Sequence, residues 1–138
     1  NIILCDAGAT INTKPIHILQ HAIMSSEYFK LLHNTQNPRV GLINIGIEKN
    51  KGPELYRDSY KLLNKYLKNF VGFIESRDIL NGKVDIVISD GFTGNIMLKL
   101  IEGMFSNFQD ILHDINIDPN DYFKEKLLYE EHGGAEFE

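Results

Sequence analysis

Four short apolar runs rich in β-branched residues alternate with stretches of helical periodicity, and this alternation limits the folds open to the chain. The runs cover residues 1–5, 40–45, 70–74 and 84–89, and they end near glycine, asparagine or aspartate. Three of them are apolar on both faces, as in parallel strands covered by helices. Strands that alternate with helices over short connections predict an α/β fold with a doubly wound, mostly parallel sheet.

Helices are predicted between and after these strands. Pro15 suits the first turn of a helix over residues 15–33, and a second helix follows Pro53. Thr93 is predicted to cap a third helix, and a fourth is predicted over about 119–131. The third helix has a periodic stripe of apolar residues that we expect to be buried: Ile96, Leu100, Met104, Phe108 and Ile111.

The chain totals favour one soluble domain. Its 138 residues can bury one core, which predicts a single α/β domain over 1–138. A net charge of -5 gives no basic surface for nucleic acid, so we expect no such partner. One cysteine, no leader sequence and no long apolar run predict a cytoplasmic protein. Asn1 already lies within an apolar run, which suggests a fragment of a longer protein.

Ligands of parallel sheets bind beyond the carboxyl ends of the strands. That rule selects the loops over residues 6–14, 44–52, 75–78 and 90–95. The last of these has a glycine-rich turn before a helix, which predicts an anion-binding site formed by backbone N–H groups and the positive helix end. The alternative is that its glycines serve only a tight turn.

Side chains near two of the loops can add to such a site. Thr93 and Asn95 can donate hydrogen bonds, and Lys99 lies about one helical turn further on. Asp6 precedes a second flexible turn, which ends at Lys14 just before a helix. Lys14 is therefore a candidate phosphate or oxyanion ligand, with a solvated lysine as the alternative.

Signals for metals and nucleotides are weak. His17 and His21 have the spacing of a metal pair but no third ligand is evident, so a partly buried helix pair and no metal are predicted. Cys5 is predicted to be an inert thiol in a core strand. The glycine motifs of dinucleotide-binding folds and of P-loop enzymes are both missing, and we expect no cofactor.

Five ordered segments resemble one family, the phosphate acyltransferases of bacterial phospholipid synthesis. They are Asp6-Ala7-Gly8-Ala9 with Lys14-Pro15, the run from Asn37 to Gly46, Arg77-Asp78-Ile79, the run from Asp90 to Asn95 with Leu98-Lys99 and Glu102-Gly103, and the run from Tyr129 to Ala135. Thr10 stands where the family usually has asparagine. The match runs almost end to end, although it implies that about half of the family's chain is missing here.

The resemblance implies a three-layer α/β/α fold related to phosphotransacetylases and to the isocitrate and isopropylmalate dehydrogenases. It also implies a homodimer that moves a fatty acyl group from acyl carrier protein to orthophosphate, giving acyl phosphate. For this reaction we predict catalytic roles for Lys14, Asp90 and Asn95. The residues predicted to bind phosphate or shape the site are Asp6, Gly8, Asn44, Gly46, Gly91, Thr93, Gly94 and Lys99.

Two other functions stay open on the sequence. One is acyl transfer from coenzyme A to phosphate, as in phosphotransacetylases, and the other is a non-catalytic phosphate-binding or dimerisation fragment. The resemblance also implies peripheral membrane contact, which is disfavoured here because residues 103–131 have two lysines against seven acidic residues. Anionic lipid would repel that segment, so we expect its apolar side chains to pack on protein.

Overall fold

A parallel sheet of four strands forms the centre of the computed structural model, which describes residues 1–114. The strands are β1 (Ile3–Cys5), β2 (Val40–Ile43), β3 (Phe70–Ile74) and β4 (Ile86–Ile88). Their order across the sheet is β1-β4-β2-β3, and every neighbouring pair is parallel. The strand that comes last in the sequence therefore lies between β1 and β2.

Burial follows position in the sheet. Every residue of the central strands β2 and β4 is buried, whereas β1 and β3 at the two edges are partly exposed. A strand enclosed on both faces needs apolar side chains at every position, which explains the unbroken apolar runs in the sequence. The prediction of an α/β fold with a parallel sheet is confirmed.

Three α-helices accompany the sheet within residues 1–114: α1 (Pro15–His33), α2 (Glu54–Tyr66) and α3 (Gly91–Asp114). A short 3₁₀ helix spans Ser76–Asp78. Helix α1 packs against β1 and β4, and α2 packs against β3 and against α1. Since α1 and α2 touch each other, they cover the same face of the sheet.

The predicted boundaries agree with the structure for one helix and one strand. Helix α1 has the predicted bounds, and β3 does too. The other three strands are shorter than their apolar runs, because ladder hydrogen bonds end before the apolar residues do. The predicted helix over 119–131 lies outside the described residues.

Two predictions for α3 are wrong. The helix begins at Gly91, so Thr93 lies inside it, and the carboxylate of Asp90 accepts the Thr93 N–H at 2.9 Å instead. The five apolar residues expected to be buried are 49–62% exposed. The buried apolar side chain in this helix is that of Met97. Periodicity identifies which residues share a face, but it does not tell which face meets the core.

Residues 2–100 form one compact unit, and α3 from Ile101 onward belongs to a second. The candidate site lies within the first unit. Within residues 1–114, no helix combines the length and the apolar character needed to cross a bilayer.

Candidate functional site at the tips of β1 and β4

The loops that follow β1 and β4 meet at the carboxyl edge of the sheet. Past the ends of these strands, the Ser89 N–H donates to the Cys5 carbonyl at 2.8 Å, and the Asp6 N–H donates to the Ser89 carbonyl at 3.2 Å. The Ser89 hydroxyl also donates to the Asp6 carbonyl at 3.0 Å. These bonds hold together two segments that are more than 80 residues apart in the sequence.

The carboxylate of Asp6 shapes the first loop. It accepts the N–H groups of Gly8 at 3.0 Å, Ala9 at 2.8 Å and Thr10 at 2.7 Å, so the chain folds around a buried anion. Burial alone would raise the pKa of Asp6, but the hydrogen bonds from Ala9, Thr10 and Gly8 hold it below the ordinary value. Asp6 thus remains ionised and satisfies the loop's own donors.

Glycines of the second loop allow the two loops to touch. A Cβ added at Gly94 would lie 1.8 Å from the Asp6 carbonyl oxygen, and one at Gly91 would lie 2.6 Å from the Thr10 carbonyl oxygen. In the same place, the Asn95 side-chain amide donates to the Ala7 carbonyl at 3.2 Å. A side chain at either glycine would separate the loops, so the glycines here serve close approach.

Asp90 plays the same part in the second loop as Asp6 plays in the first. One of its oxygens accepts the Thr93 N–H at 2.9 Å, and the other accepts the Thr93 hydroxyl at 2.6 Å and the Tyr56 hydroxyl. Burial alone would raise the pKa of Asp90, but the bonds from Thr93 and Tyr56 lower it. Burial and the neighbouring Asp90 raise the pKa of Tyr56 to about 12. Both side-chain oxygens of Asp90 are therefore already hydrogen-bonded within the protein.

An open cleft of about 490 Å³ lies between the two loops. Its lining consists of Gly8, Thr10, Ile11, Gly91, Phe92 and Asn95. Thr10 and Asn95 offer polar groups, whereas the side chains of Ile11 and Phe92 are 91% and 74% exposed. The cleft thus combines hydrogen-bonding groups with exposed apolar surface.

The loop after β2 is braced by one of the predicted site residues. The Asn44 side-chain amide donates to the Lys51 carbonyl at 3.0 Å, and its oxygen accepts the Ile45 N–H at 2.9 Å. Gly52 has a positive φ of 85° and lies so close to Asn44 that a side chain there would collide with it. Asn44 therefore shapes its own loop. Neither Asn44 nor Gly46 lines the cleft.

The two predicted cationic residues also lie away from the lining. Lys14 is exposed immediately before α1, at the far end of the loop that begins at Asp6, and its N–H donates to His17 Nδ1 at 3.3 Å. Lys99 is exposed on α3, one turn beyond Asn95. Of the predicted site residues, the structure brings together those in the first and last loops: Asp6, Gly8, Asp90, Gly91, Thr93, Gly94 and Asn95.

Tyr56 also belongs to this cluster, although the sequence did not predict it. It lies on the buried side of α2 with Ser59 and Leu63, at helical spacing. A buried tyrosine normally finds a partner for its hydroxyl, so its helical spacing from Leu63 was the available signal. The sequence could not identify Asp90 as that partner, since the two residues are 34 positions apart.

Potential metal ligands form no cluster in the described part of the chain. No group of three or more potential ligands from histidine, cysteine, aspartate and glutamate occurs among residues 1–114. His17 and His21 are both partly buried on α1, which agrees with the predicted helix pair. Burial raises the pKa of Cys5, as expected for an unreactive thiol.

Comparison with known proteins gives a family for the chain. A model of the family described as "Fatty acid synthesis protein" matches residues 1–118. The chain belongs to this family.

Curated relatives of this fatty acid synthesis family member are named phosphate acyltransferase. Those from Bacillus cereus strain B4264, Bacillus thuringiensis strain Al Hakam and Bacillus mycoides strain KBAB4 are each 40% identical over 96% of the chain. The chain spans 44% of the length of each relative. The resemblance found in the five sequence segments is confirmed.

The contact between the two loops predicts that alanine at Gly94 destabilises this family member. Gly94→Ala should lower the free energy of unfolding by about 2 kcal/mol or more, because the new Cβ must push Asp6 away. The matched control is Gly103→Ala in the same helix, where an added Cβ meets no described atom within 4 Å. That change should stabilise by up to about 1 kcal/mol through helix propensity. Equal effects in urea unfolding would contradict the steric interpretation.

The ionised state of Asp6 predicts a pH-dependent contribution to stability. Since its folded pKa is lowered, its contribution is present above the ordinary aspartate pKa of about 3.9 and is lost as pH falls through the folded value. Asp6→Asn should cost about 2 kcal/mol at pH 7, and the cost should shrink towards pH 2.

Urea unfolding of the wild type and Asp6→Asn across this pH range measures the difference. The control is Asp58→Asn, which removes only a surface pair with Lys61 and should cost less than about 1 kcal/mol. A cost for Asp6→Asn that does not change with pH would show that the charge of Asp6 is not what holds the loop.

Proposed function

We propose that the chain is part of a phosphate acyltransferase that moves a fatty acyl group from acyl carrier protein to orthophosphate, giving acyl phosphate. Membership of the fatty acid synthesis family and relatives named phosphate acyltransferase support this proposal. The chain spans 44% of the length of those relatives, so the complete activity has to be tested on a protein of their length.

The observation that carries the proposal is the composition of the cleft between the β1 and β4 loops. Acyl phosphate and its thioester precursor have a polar reacting end and an apolar chain. The cleft offers Thr10 and Asn95 for the polar end, and exposed Ile11 and Phe92 for the chain. Its position beyond the carboxyl ends of parallel strands is the usual place for a ligand in such sheets.

The reaction needs no covalent bond to the protein. A phosphate oxygen attacks the thioester carbonyl, the new C–O bond forms, and the C–S bond breaks to release the carrier's thiolate, which then takes up a proton. Catalysis then depends on positioning and on stabilising negative charge. We assign contact with phosphate to Asn95 and charge neutralisation to Lys14, with support from Lys99.

Asp6 and Asp90 act in this scheme by fixing the loops. Their carboxylates occupy the N–H groups of Gly8, Ala9, Thr10 and Thr93, which would otherwise be anion donors. Two ionised carboxylates near the cleft also repel phosphate. The site therefore needs cationic side chains, and this is the physical reason for giving a role to Lys14.

A comparison of acyl donors tests the proposed function. The protein expressed from its complete reading frame should form acyl phosphate from acyl-acyl carrier protein and orthophosphate, with the Bacillus cereus phosphate acyltransferase as the positive control. A higher rate with acyl-coenzyme A at equal concentration would favour a phosphotransacetylase-like enzyme. Calorimetric binding of orthophosphate without turnover from either donor would favour a binding or dimerisation role.

Removal of the Lys14 charge should lower activity. Lys14→Ala is expected to reduce the kcat/KM for orthophosphate at least about tenfold, which corresponds to about 1.4 kcal/mol of lost transition-state stabilisation. Lys68→Ala provides the control, because Lys68 is exposed before β3, at the amino edge of the sheet. If both variants have wild-type kinetics, Lys14 has no place in the site.

A further inference from the structure

Tyr56 joins two parts of the fold that are separate in the sequence. It lies in the first turn of α2 and is buried, and its hydroxyl donates to the carboxylate of Asp90. The same hydroxyl oxygen accepts the Asp90 N–H at 3.3 Å. The Tyr56 hydroxyl is therefore hydrogen-bonded to both the backbone and the side chain of Asp90.

The bond from Tyr56 differs in origin from the others that Asp90 receives. Thr93 donates its N–H at 2.9 Å and its hydroxyl at 2.6 Å, but Thr93 belongs to the same helix start as Asp90. Those local bonds define the shape of the first turn of α3. A donor from α2 fixes where that turn lies relative to the rest of the protein.

The first turn of α2 is itself anchored to the loop after β2. The guanidinium of Arg57, next to Tyr56, donates to the Gly52 carbonyl. Asn44 at the tip of β2 holds the neighbouring Lys51 carbonyl at 3.0 Å. Hydrogen bonds from neighbouring residues, joined by the peptide bonds between them, thus connect the loop after β2, the start of α2 and the start of α3.

We propose that Tyr56 is a positioning residue, whose hydroxyl holds Asp90 and thereby fixes the first turn of α3, where Gly91 and Asn95 line the cleft. The part that concerns phosphate binding in this cleft rests on the proposed function. Tyr56 acts through Asp90, since its hydroxyl is committed to that residue and Tyr56 does not line the cleft. With its pKa raised to about 12, the phenol stays a donor at every pH near neutrality.

Removal of the hydroxyl tests this role with little change of shape. Tyr56→Phe keeps the ring in the core, and Tyr66→Phe is the matched control, since Tyr66 is exposed on the same helix. Carbon-13 NMR should show a higher pKa of Asp90 in Tyr56→Phe, because one hydrogen bond to its charged form is gone. Tyr66→Phe should leave the Asp90 titration unchanged.

Binding of inorganic phosphate measures the consequence for the cleft. Calorimetry should give an affinity at least about fivefold weaker for Tyr56→Phe, with a matching rise in the phosphate KM and a smaller change in kcat. In an Asp90→Asn background, Tyr56→Phe should add less than twofold, because the two residues act together. If Tyr56→Phe acted only by weakening the fold, kcat would fall, and the effect would be as large in the Asp90→Asn background as in the wild type.

Proton exchange in the wild type and in Asp90→Asn covers the case in which Tyr56→Phe does not fold. The Tyr56 hydroxyl proton should exchange slowly with water in the wild type and fast in Asp90→Asn. The positioning role is overturned if Tyr56→Phe leaves the Asp90 pKa unchanged and the phosphate affinity within twofold of the wild type. It is also overturned if Asp90→Asn does not change the exchange rate of the Tyr56 hydroxyl proton. If the wild type neither binds phosphate nor forms acyl phosphate, the proposed function fails, and the Asp90 titration and proton exchange still decide whether Tyr56 positions the turn.

Discussion

The cleft edge of the sheet depends on the close packing of Gly94 in α3 against the carbonyl of Asp6 beyond β1, where an added Cβ would lie 1.8 Å from the carbonyl oxygen. The Ser89 hydroxyl bonds to the same carbonyl, so the tips of β1 and β4 are joined at one point. The start of α3 can reach this point because position 94 has no side chain. The two walls of the cleft, from Gly8 to Ile11 and from Gly91 to Asn95, depend on this contact for their separation.

Negative charge organises both walls. Asp6 and Asp90 each accept several hydrogen bonds from their own loop, and these bonds lower both pKa values despite partial burial. The glycine-rich turn, which looks in sequence like a ready anion cradle, therefore has much of its donor capacity satisfied from within. In the proposed function, phosphate is therefore held mainly by side chains and cations, and the proposal gives Lys14 and Asn95 more weight than the turn itself.

Much of the local structure followed from the sequence because it depends on local patterns. Pro15 and the spacing after it predicted α1 with its observed bounds, and unbroken apolar runs predicted the buried strands β2 and β4. The buried face of α3 was predicted wrongly. The stripe from Ile96 to Ile111 has more apolar residues, but the face around Met97 is the one that meets the core. The contact of Tyr56 with the site was not predicted for a related reason, since its partner Asp90 lies on another element.

The sequence by itself determined the alternation of strands and helices, the glycine and aspartate motifs at the strand tips, and the family to which the chain belongs. Each of these is encoded in residues close together along the chain. Only the tertiary structure decided that β4 inserts between β1 and β2, so that residues 6–10 meet residues 90–95. It also decided which donors are already occupied, because hydrogen bonds between distant segments depend on the packing of the whole sheet and not on local periodicity.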